Sequence, residues 1–227
     1  LMDEMALLQQ IPLFTDLPQE QLRSLVSVLE RRTYRKGQII LRQGDQGDSL
    51  FVIVSGRVRI YTISPDGHEW SVWFYDRGDF FGEMALLSGE PRSANAQAMQ
   101  RTEVLILRRR AFRNYLLSDS LTAVRIIEAL SQRLRRTTES AEGLVALTVT
   151  QRIARKLLEL TERYGVAQEG GVLIDLDLSQ EAIASLVGTT RESANRALSG
   201  MREQGIVQIE RVRIRVIRPE KLKALLH

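Results

Sequence analysis

Phe81-Gly82-Glu83-Met84-Ala85-Leu86-Leu87-Ser88-Gly89-Glu90-Pro91-Arg92-Ser93-Ala94 is the stretch that sets the reading of this 227-residue chain. Gly82 lets the backbone approach a ligand closely. Glu83–Leu87 is predicted to form a helical turn whose free N–H groups point at an anion. Arg92 supplies a fixed charge and a planar donor fork that suits phosphate oxygens. Ser93 adds a hydroxyl donor. Glu83 is an odd neighbour for a phosphate unless the ligand also offers hydroxyls, as a ribose does. One phosphate and one sugar together describe a nucleotide.

The flanking sequence predicts what holds this stretch. From Tyr34 to Arg108 the runs are short, β-rich and cut by Gly37, Gly44, Gly47, Gly56, Gly67, Gly78 and Gly82. Ser49–Ser55, Val58–Ser64, Glu69–Tyr75 and Thr102–Leu107 read as strands, with a turn at Pro65-Asp66-Gly67. Many short strands with Gly-rich turns predict a small β-barrel or jelly roll. Residues 3–31 read instead as short helices, punctuated by Pro12 and Pro18, with Leu22, Leu25, Val26 and Leu29 at helical spacing.

Beyond the roll, Ala123, Ile127, Leu130, Leu134, Thr137, Ala141 and Leu144 recur at spacings of 4, 3, 4, 3, 4 and 3. This is a heptad seam with Thr137 as its polar exception. A helix packed on its own domain would show such a row; a parallel two-stranded coiled coil fits the strict 3.5 period better. The chain then reads as helical to about Tyr164, breaks at Gly170-Gly171 and alternates over Leu173–Leu178.

Ser179–Val187 is predicted as one helix ended by Gly188, and Thr189-Thr190-Arg191-Glu192 opens a second that runs to about Gln204. Two short helices around a tight glycine turn form a helix-turn-helix pattern. The second helix places Ala194, Ala197, Leu198 and Met201 on its packed side. Arg191, Glu192, Asn195, Arg196 and Ser199 lie on the other, where recognition helices meet the major groove. Thr189-x-x-Glu192 also satisfies a capping box, so Glu192 has a purely structural alternative. Ile206–Ile209 and Val212–Ile217 predict a hairpin wing, with Arg211, Arg213 and Arg215 alternating off its apolar face. Pro219–His227 carries no assignment.

Composition bounds the function classes. There are no cysteines and two histidines, His68 and His227. Disulfides, thiolate metal sites, iron–sulfur clusters and cysteine nucleophiles are excluded, and no triad or metal constellation points to an enzyme. No apolar run approaches membrane-spanning length, and Leu1-Met2-Asp3-Glu4 shows no signal-peptide pattern; the expectation is a cytoplasmic protein with no membrane partner. Net charge is −3 over residues 1–100, +4 over 101–143 and +3 over 144–227, so the basic excess lies where a polyanion would be met. Solvated helix faces would give the same sign.

The whole string from Phe81 to Ala94 closely resembles the phosphate-binding cassette of cyclic-nucleotide-binding domains, F-G-E-[LM]-A-L-…-P-R-S-A. Arg133-Leu134-Arg135-Arg136-Thr137-Thr138-Glu139 resembles the R-L-x-x-T-S-E segment of the cyclic AMP receptor branch of the CRP/FNR superfamily, with Thr138 departing conservatively from serine. Gly188 to Arg196 is similar to that branch's G-x-[ST]-R-E-[ST]-x-x-R recognition helix. The resemblance covers nearly the whole chain. It implies an α+β architecture: a β-roll domain over 1–116, a dimerisation helix over 117–145 and a winged helix-turn-helix over 146–227.

The resemblance also implies site roles. Glu83 would bind the ribose 2′-hydroxyl, and Arg92 and Ser93 the cyclic phosphate, with a backbone contact from Gly82. Arg133 would pair with Glu83, and Thr137 and Thr138 would contact adenine within and across a homodimer. Arg191, Glu192 and Arg196 would read a TGTGA-type half-site in double-stranded DNA; Thr190, Asn195, Ser199 and the wing residue Arg213 complete the expected DNA-facing set. Cyclic AMP is the expected effector, with no metal, haem or iron–sulfur cluster, and RNA polymerase is the further partner implied. Two alternatives stay open: a regulator that responds to cyclic GMP and one that binds DNA without nucleotide. A β-roll serving as the regulatory module of a kinase or channel would need an attached catalytic or membrane domain, where this chain carries a helix-turn-helix pattern.

Overall fold

The computed structural model describes residues 2–15 and 17–226; Leu1, Asp16 and His227, the second histidine, lie outside them. Two compact units divide at Leu134–Arg135, with the short segment His68–Ser71 counted in the second.

The first unit opens with helices α1 (Met2–Gln9) and α2 (Gln19–Val26), separated by a 3-10 turn at Pro12–Phe14. Eight strands follow: β1 (Glu30–Tyr34), β2 (Ile39–Leu41), β3 (Ser49–Ser55), β4 (Arg57–Ile63), β5 (Glu69–Asp76), β6 (Phe80–Phe81), β7 (Asn95–Ala98) and β8 (Thr102–Arg108). They form two four-stranded sheets, ordered β1-β8-β3-β6 and β2-β7-β4-β5. Helix α3 (Glu83–Ser88) interrupts the strands, and α4 (Arg109–Ser118) follows them.

Why β3 is an unbroken apolar run becomes clear from its two faces. Phe51 and Ile53 point with Val104 and Ile106 of β8 into the roll, against Val58, Ala96 and Ala98 of the facing sheet. Leu50, Val52 and Val54 point the other way with Leu105 and Leu107, under Leu8, Phe14, Leu22, Leu25, Phe112 and Ile126. Side chains alternate across a strand, so a strand covered on both faces must be apolar at every position.

Sheet structure begins earlier than the expected change near Tyr34. The segment Glu30–Tyr34 is an edge strand with four of its five residues exposed. Its charges are placed on exposed edge positions, such as Arg31 paired to Glu103, so the stretch shows no apolar alternation. The short β2, β6 and β7 carry too few residues for a period to register.

Helix α5 (Ser120–Ala146) is the long helix of the seam. Its inner side buries Ile126, with Ala129 and Leu130 packed against the same core. The outer side leaves Leu121, Val124, Ile127 and Leu134 exposed, the last two at 62% and 68%. The open row therefore follows Val124, Ile127, Ser131, Leu134, Thr138, Ala141 and Val145. It shares Ile127, Leu134 and Ala141 with the expected seam. Ala123, Leu130 and Leu144 are half-buried and give way to their exposed neighbours, Leu130 because it is drawn toward the roll, whereas Thr137 and Thr138 are both exposed.

In the second unit, α6 (Val149–Tyr164) starts on a capping box between Thr148 and Gln151. Strands β9 (Gly165–Gln168) and β10 (Gly171–Ile174), helices α7 (Gln180–Val187) and α8 (Arg191–Glu203), strands β11 (Val207–Glu210) and β12 (Arg213–Val216), and α9 (Pro219–Ala224) follow. The expected wing hairpin is part of a four-stranded sheet ordered β11-β12-β10-β9. The alternation over Leu173–Leu178 outlasts its strand: Leu176 and Leu178 are buried beyond the end of β10. The tail forms α9, which buries Leu222.

Burial pushes the Tyr115 phenol, hydrogen-bonded with Thr122 and edge-on to Phe14, up to about 12. In the unfolded chain a tyrosine ionises near pH ~10. The stability held by neutral Tyr115 is therefore complete below pH ~10 and is lost as pH rises toward the folded value. Urea unfolding should show stability declining through this window and a flatter profile in Tyr115→Phe; an unchanged decline in the variant would assign it to other groups.

Candidate functional site

Gly82 follows β6 with φ +85°, and a Cβ there would lie 2.8 Å from Arg92 Nη1 and 3.0 Å from Ser49 O. Only glycine accepts both the left-handed backbone and this approach. Arg92 is 6% exposed. Its Nη1 donates to Gly82 O at 2.7 Å and its Nη2 to Ser49 O at 2.9 Å. Burial lowers its pKa, and Asp48 and Glu83 oppose that shift; an arginine so placed remains a cation. Among the described residues no carboxylate forms a salt bridge with Arg92, so this buried charge rests on two neutral carbonyls.

Glu83 opens α3 and is 3% exposed. Its Oε1 accepts from Arg133 Nη1 at 2.7 Å. The Arg133 guanidinium lies 4.4 Å from the centre of the Tyr75 ring and 4.5 Å from that of Phe80, and it also donates to Phe80 O. Cation–π contacts of this kind strengthen when desolvated. The structure thus brings together Gly82, Glu83, Arg92 and Arg133, as expected. Ser93 sits beside them, exposed, with Oγ 3.5 Å from Met84 Sδ. Thr137 and Thr138 are exposed further along α5, in the part belonging to the second unit.

One bracing residue escaped the sequence. Arg109, the first residue of α4, donates to Gly47 O at 2.7 Å, Ala85 O at 3.0 Å and Leu86 O at 3.2 Å. It ties the back of α3 to the segment before β3. Nothing in Arg108-Arg109-Arg110 distinguishes the inward member of the run from its neighbours.

In the second unit, Gly188 turns the chain between α7 and α8 with φ +64°. Arg152 donates to Val187 O at 2.9 Å and Gly188 O at 3.3 Å, holding the end of α7. Thr190 is the N-cap of α8, its hydroxyl accepting from Ser193 N at 3.2 Å. The cap is therefore Thr190 with Ser193, and the box expected from Thr189 and Glu192 does not form. Hydrogen bonds from its own backbone N–H and from Thr190, aided by Arg191, hold the exposed Glu192 carboxyl below the usual carboxylate range.

Arg191, Glu192, Asn195 and Arg196 are exposed along one side of α8, and Ser199 is half-buried. Gln180 Nε2 donates to Asn195 Oδ1 at 2.7 Å, which orients that amide; the sequence reading missed this contact. A cleft of about 330 Å³ beside α8 is lined by Ser193, Arg196, Gly200 and, from α6, Val149 and Thr150. On the wing, Arg213 of the expected DNA-facing set is ion-paired, with Asp175 at 2.9 Å and Asp177 at 3.4 Å.

Replacing Arg133 by Met should be costly, because it strands the Glu83 carboxylate without its cation. Removing one partner of a buried pair costs about 3–5 kcal/mol, and replacing both often costs far less. Chemical denaturation of Glu83→Leu, Arg133→Met and the double variant should show the double variant recovering most of the loss; additive losses would mean the pair is not energetically coupled.

Residues 31–119 match the cyclic nucleotide-binding domain family, and residues 151–225 the Crp-like helix-turn-helix domain family. The chain is 33% identical to the cyclic AMP receptor protein of Thermus thermophilus, over 87% of this chain and 88% of that protein. It is 29% identical to a CRP-like cAMP-activated global transcriptional regulator of Mycobacterium tuberculosis, over 97% and 98%. Among solved structures, the c-di-GMP responsive global regulator CLP of Xanthomonas campestris superposes with a TM-score of 0.77 at 27% identity, over 88% of this chain and 99% of that one. With a cyclic-nucleotide-type cassette in its first unit and a helix-turn-helix in its second, this chain belongs to the CRP/FNR family of DNA-binding transcription regulators.

Proposed function

We propose that this regulator responds to cyclic AMP and acts as a cytoplasmic homodimer on a palindromic TGTGA-like operator. The observation that carries the effector reading is Arg92, a buried cation whose hydrogen bonds among the described residues go to two backbone carbonyls. Asp48 and Glu83 act on it only from a distance, and an incoming cyclic phosphate would supply a directly bonded counter-charge. Gly82 and Ser93 would then serve the same ligand, and Glu83, with Arg133 behind it, the ribose. The similarity to cAMP-activated regulators supports adenine over other bases, with Thr137 and Thr138 as its contacts.

The open row of α5, from Val124 to Val145, supports a second copy of this helix as its cover. In that arrangement the roll over 1–116, the helix over 117–145 and the DNA-binding part over 146–227 divide the work. Effector binding favours one of two arrangements of the dimer, and does so only through a difference in affinity between them. Two recognition helices at fixed separation would then match half-sites one helical turn apart. On α8, Arg191 and Arg196 suit guanine O6/N7 and Glu192 suits cytosine N4; Thr190, Asn195 and Ser199 flank them. Contact with RNA polymerase belongs to the same proposal, as does the absence of catalytic activity.

Calorimetry should find cyclic AMP binding tighter than cyclic GMP. In Arg92→Leu the affinity should fall by roughly one to two decades, the equivalent of losing a charge-assisted hydrogen bond. A folded Arg92→Leu that binds cyclic AMP as well as the wild type would remove the pocket assignment.

Glu192→Ala tests readout on operators varied one base pair at a time. A base reader relaxes preference at one position per half-site, by about 1–3 kcal/mol. With Thr190 as the cap, that is the expected result. A uniform loss with every preference intact would give Glu192 a structural role only.

A further inference from the structure

The β11–β12 hairpin turns through Arg211-Val212, between the paired residues Glu210 and Arg213. Arg211 has φ +56° and is the single non-glycine with positive φ among the described residues. Hairpin turns of this kind favour Gly, Asn or Asp, because a Cβ in the left-handed region crowds the backbone. Every other described position of positive φ in this chain is a glycine. An arginine at this position carries a conformational cost, and nothing within the second unit offsets it: Arg211 is exposed and makes no ion pair or side-chain hydrogen bond among the described residues.

The two arginines that follow differ sharply. Arg213 is held by Asp175 and Asp177. Arg215 donates to Gln208 Oε1 at 3.4 Å and Gln168 Oε1 at 3.0 Å. For Arg213 to meet an outside anion it would have to leave two carboxylates. Arg211 would leave only water, and it stands at the tip of the hairpin.

We propose that Arg211, rather than Arg213, is the wing's contact with the phosphate backbone of duplex DNA, and that the strained turn is retained because it carries this cation. Arg213 is instead a strut that fastens the wing to the segment before α7. The inference rests on the DNA-binding reading of the second unit and adds to it a residue whose effects on stability and on affinity have opposite signs.

The test uses the full-length protein with cyclic AMP present and two duplexes of about 40 base pairs, one carrying paired TGTGA half-sites and one scrambled, followed by fluorescence anisotropy across a salt series. Each phosphate neutralised contributes about 0.9 to the slope of log affinity against log salt. Arg211→Gly should raise the thermal midpoint, weaken binding to both duplexes by the same factor and lower the slope by about 0.9 per bound protomer. Arg211→Lys should keep the wild-type slope. Wild-type affinity and slope in Arg211→Gly would overturn the assignment, as would a loss confined to the TGTGA duplex, which would make Arg211 a base reader. A lower midpoint in Arg211→Gly would overturn the claim that the arginine is held at a cost. A wild-type protein that binds neither duplex would overturn the DNA-binding reading and this assignment together.

Discussion

A guanidinium packed against two aromatic rings and a buried carboxylate is the constraint on which the first unit turns. Arg133 reaches from α5 to Glu83 at the head of α3, with Tyr75 and Phe80 on its flanks. Burying a carboxylate as deeply as Glu83 is costly without a cation beside it. The first turn of the cassette and the rotation of the long helix are therefore set by one contact. The consequence reaches the adjoining side of α5: with Arg133 and Ile126 turned toward the roll, Ile127 and Leu134, one residue further round, are left facing outward. The same contact that completes the nucleotide cassette orients the apolar row on which the proposed dimer depends.

Arginine does three kinds of structural work here. Arg109 and Arg152 donate to carbonyls near helix ends, where a cation complements the backbone dipole. Arg108, exposed at the end of β8, bridges Glu30 and Asp48; surface pairs of this sort contribute little to stability. Arg92 is distinct because it is buried without a salt bridge among the described residues. Its guanidinium links the segment before α3 to the start of β3 through Gly82 O and Ser49 O. A phosphate drawn to Arg92 would compete with those two carbonyls, and so would act on the fastening of the cassette helix as well as on the ligand site.

The DNA-facing unit separates cations by their partners. Arg191 and Arg196 stand exposed on α8, whereas Arg213 and Arg215 are engaged by side chains of their own sheet and the adjoining loop. Phosphate and base contacts do different work, the first positioning and the second specifying. A cation already held by two aspartates is poorly suited to either. Capping follows the same division: Thr190 and Ser193 close the start of α8 between them, which leaves Glu192 out of the capping box.

Much of this was legible in the residue string. The short apolar run of Ser49–Ser55, the turn at Pro65-Asp66-Gly67, the break at Gly188 and the cassette from Phe81 to Ala94 each encode local constraints, so residue type, glycine and charge suffice to read them. The edge strand at Glu30–Tyr34 was not legible, because an exposed strand needs no apolar alternation. Nor was the choice of Arg109 from three consecutive arginines, of Thr190 over Thr189 as the cap, or of Leu130 as a residue drawn to the roll. The partners of Arg211 and Arg213 were equally hidden, since alternation treats both as outward cations. In sequence a side chain has a type and a spacing. Its burial, and whether its charge is already matched, depend on residues distant in the chain, and only the tertiary structure brings those together.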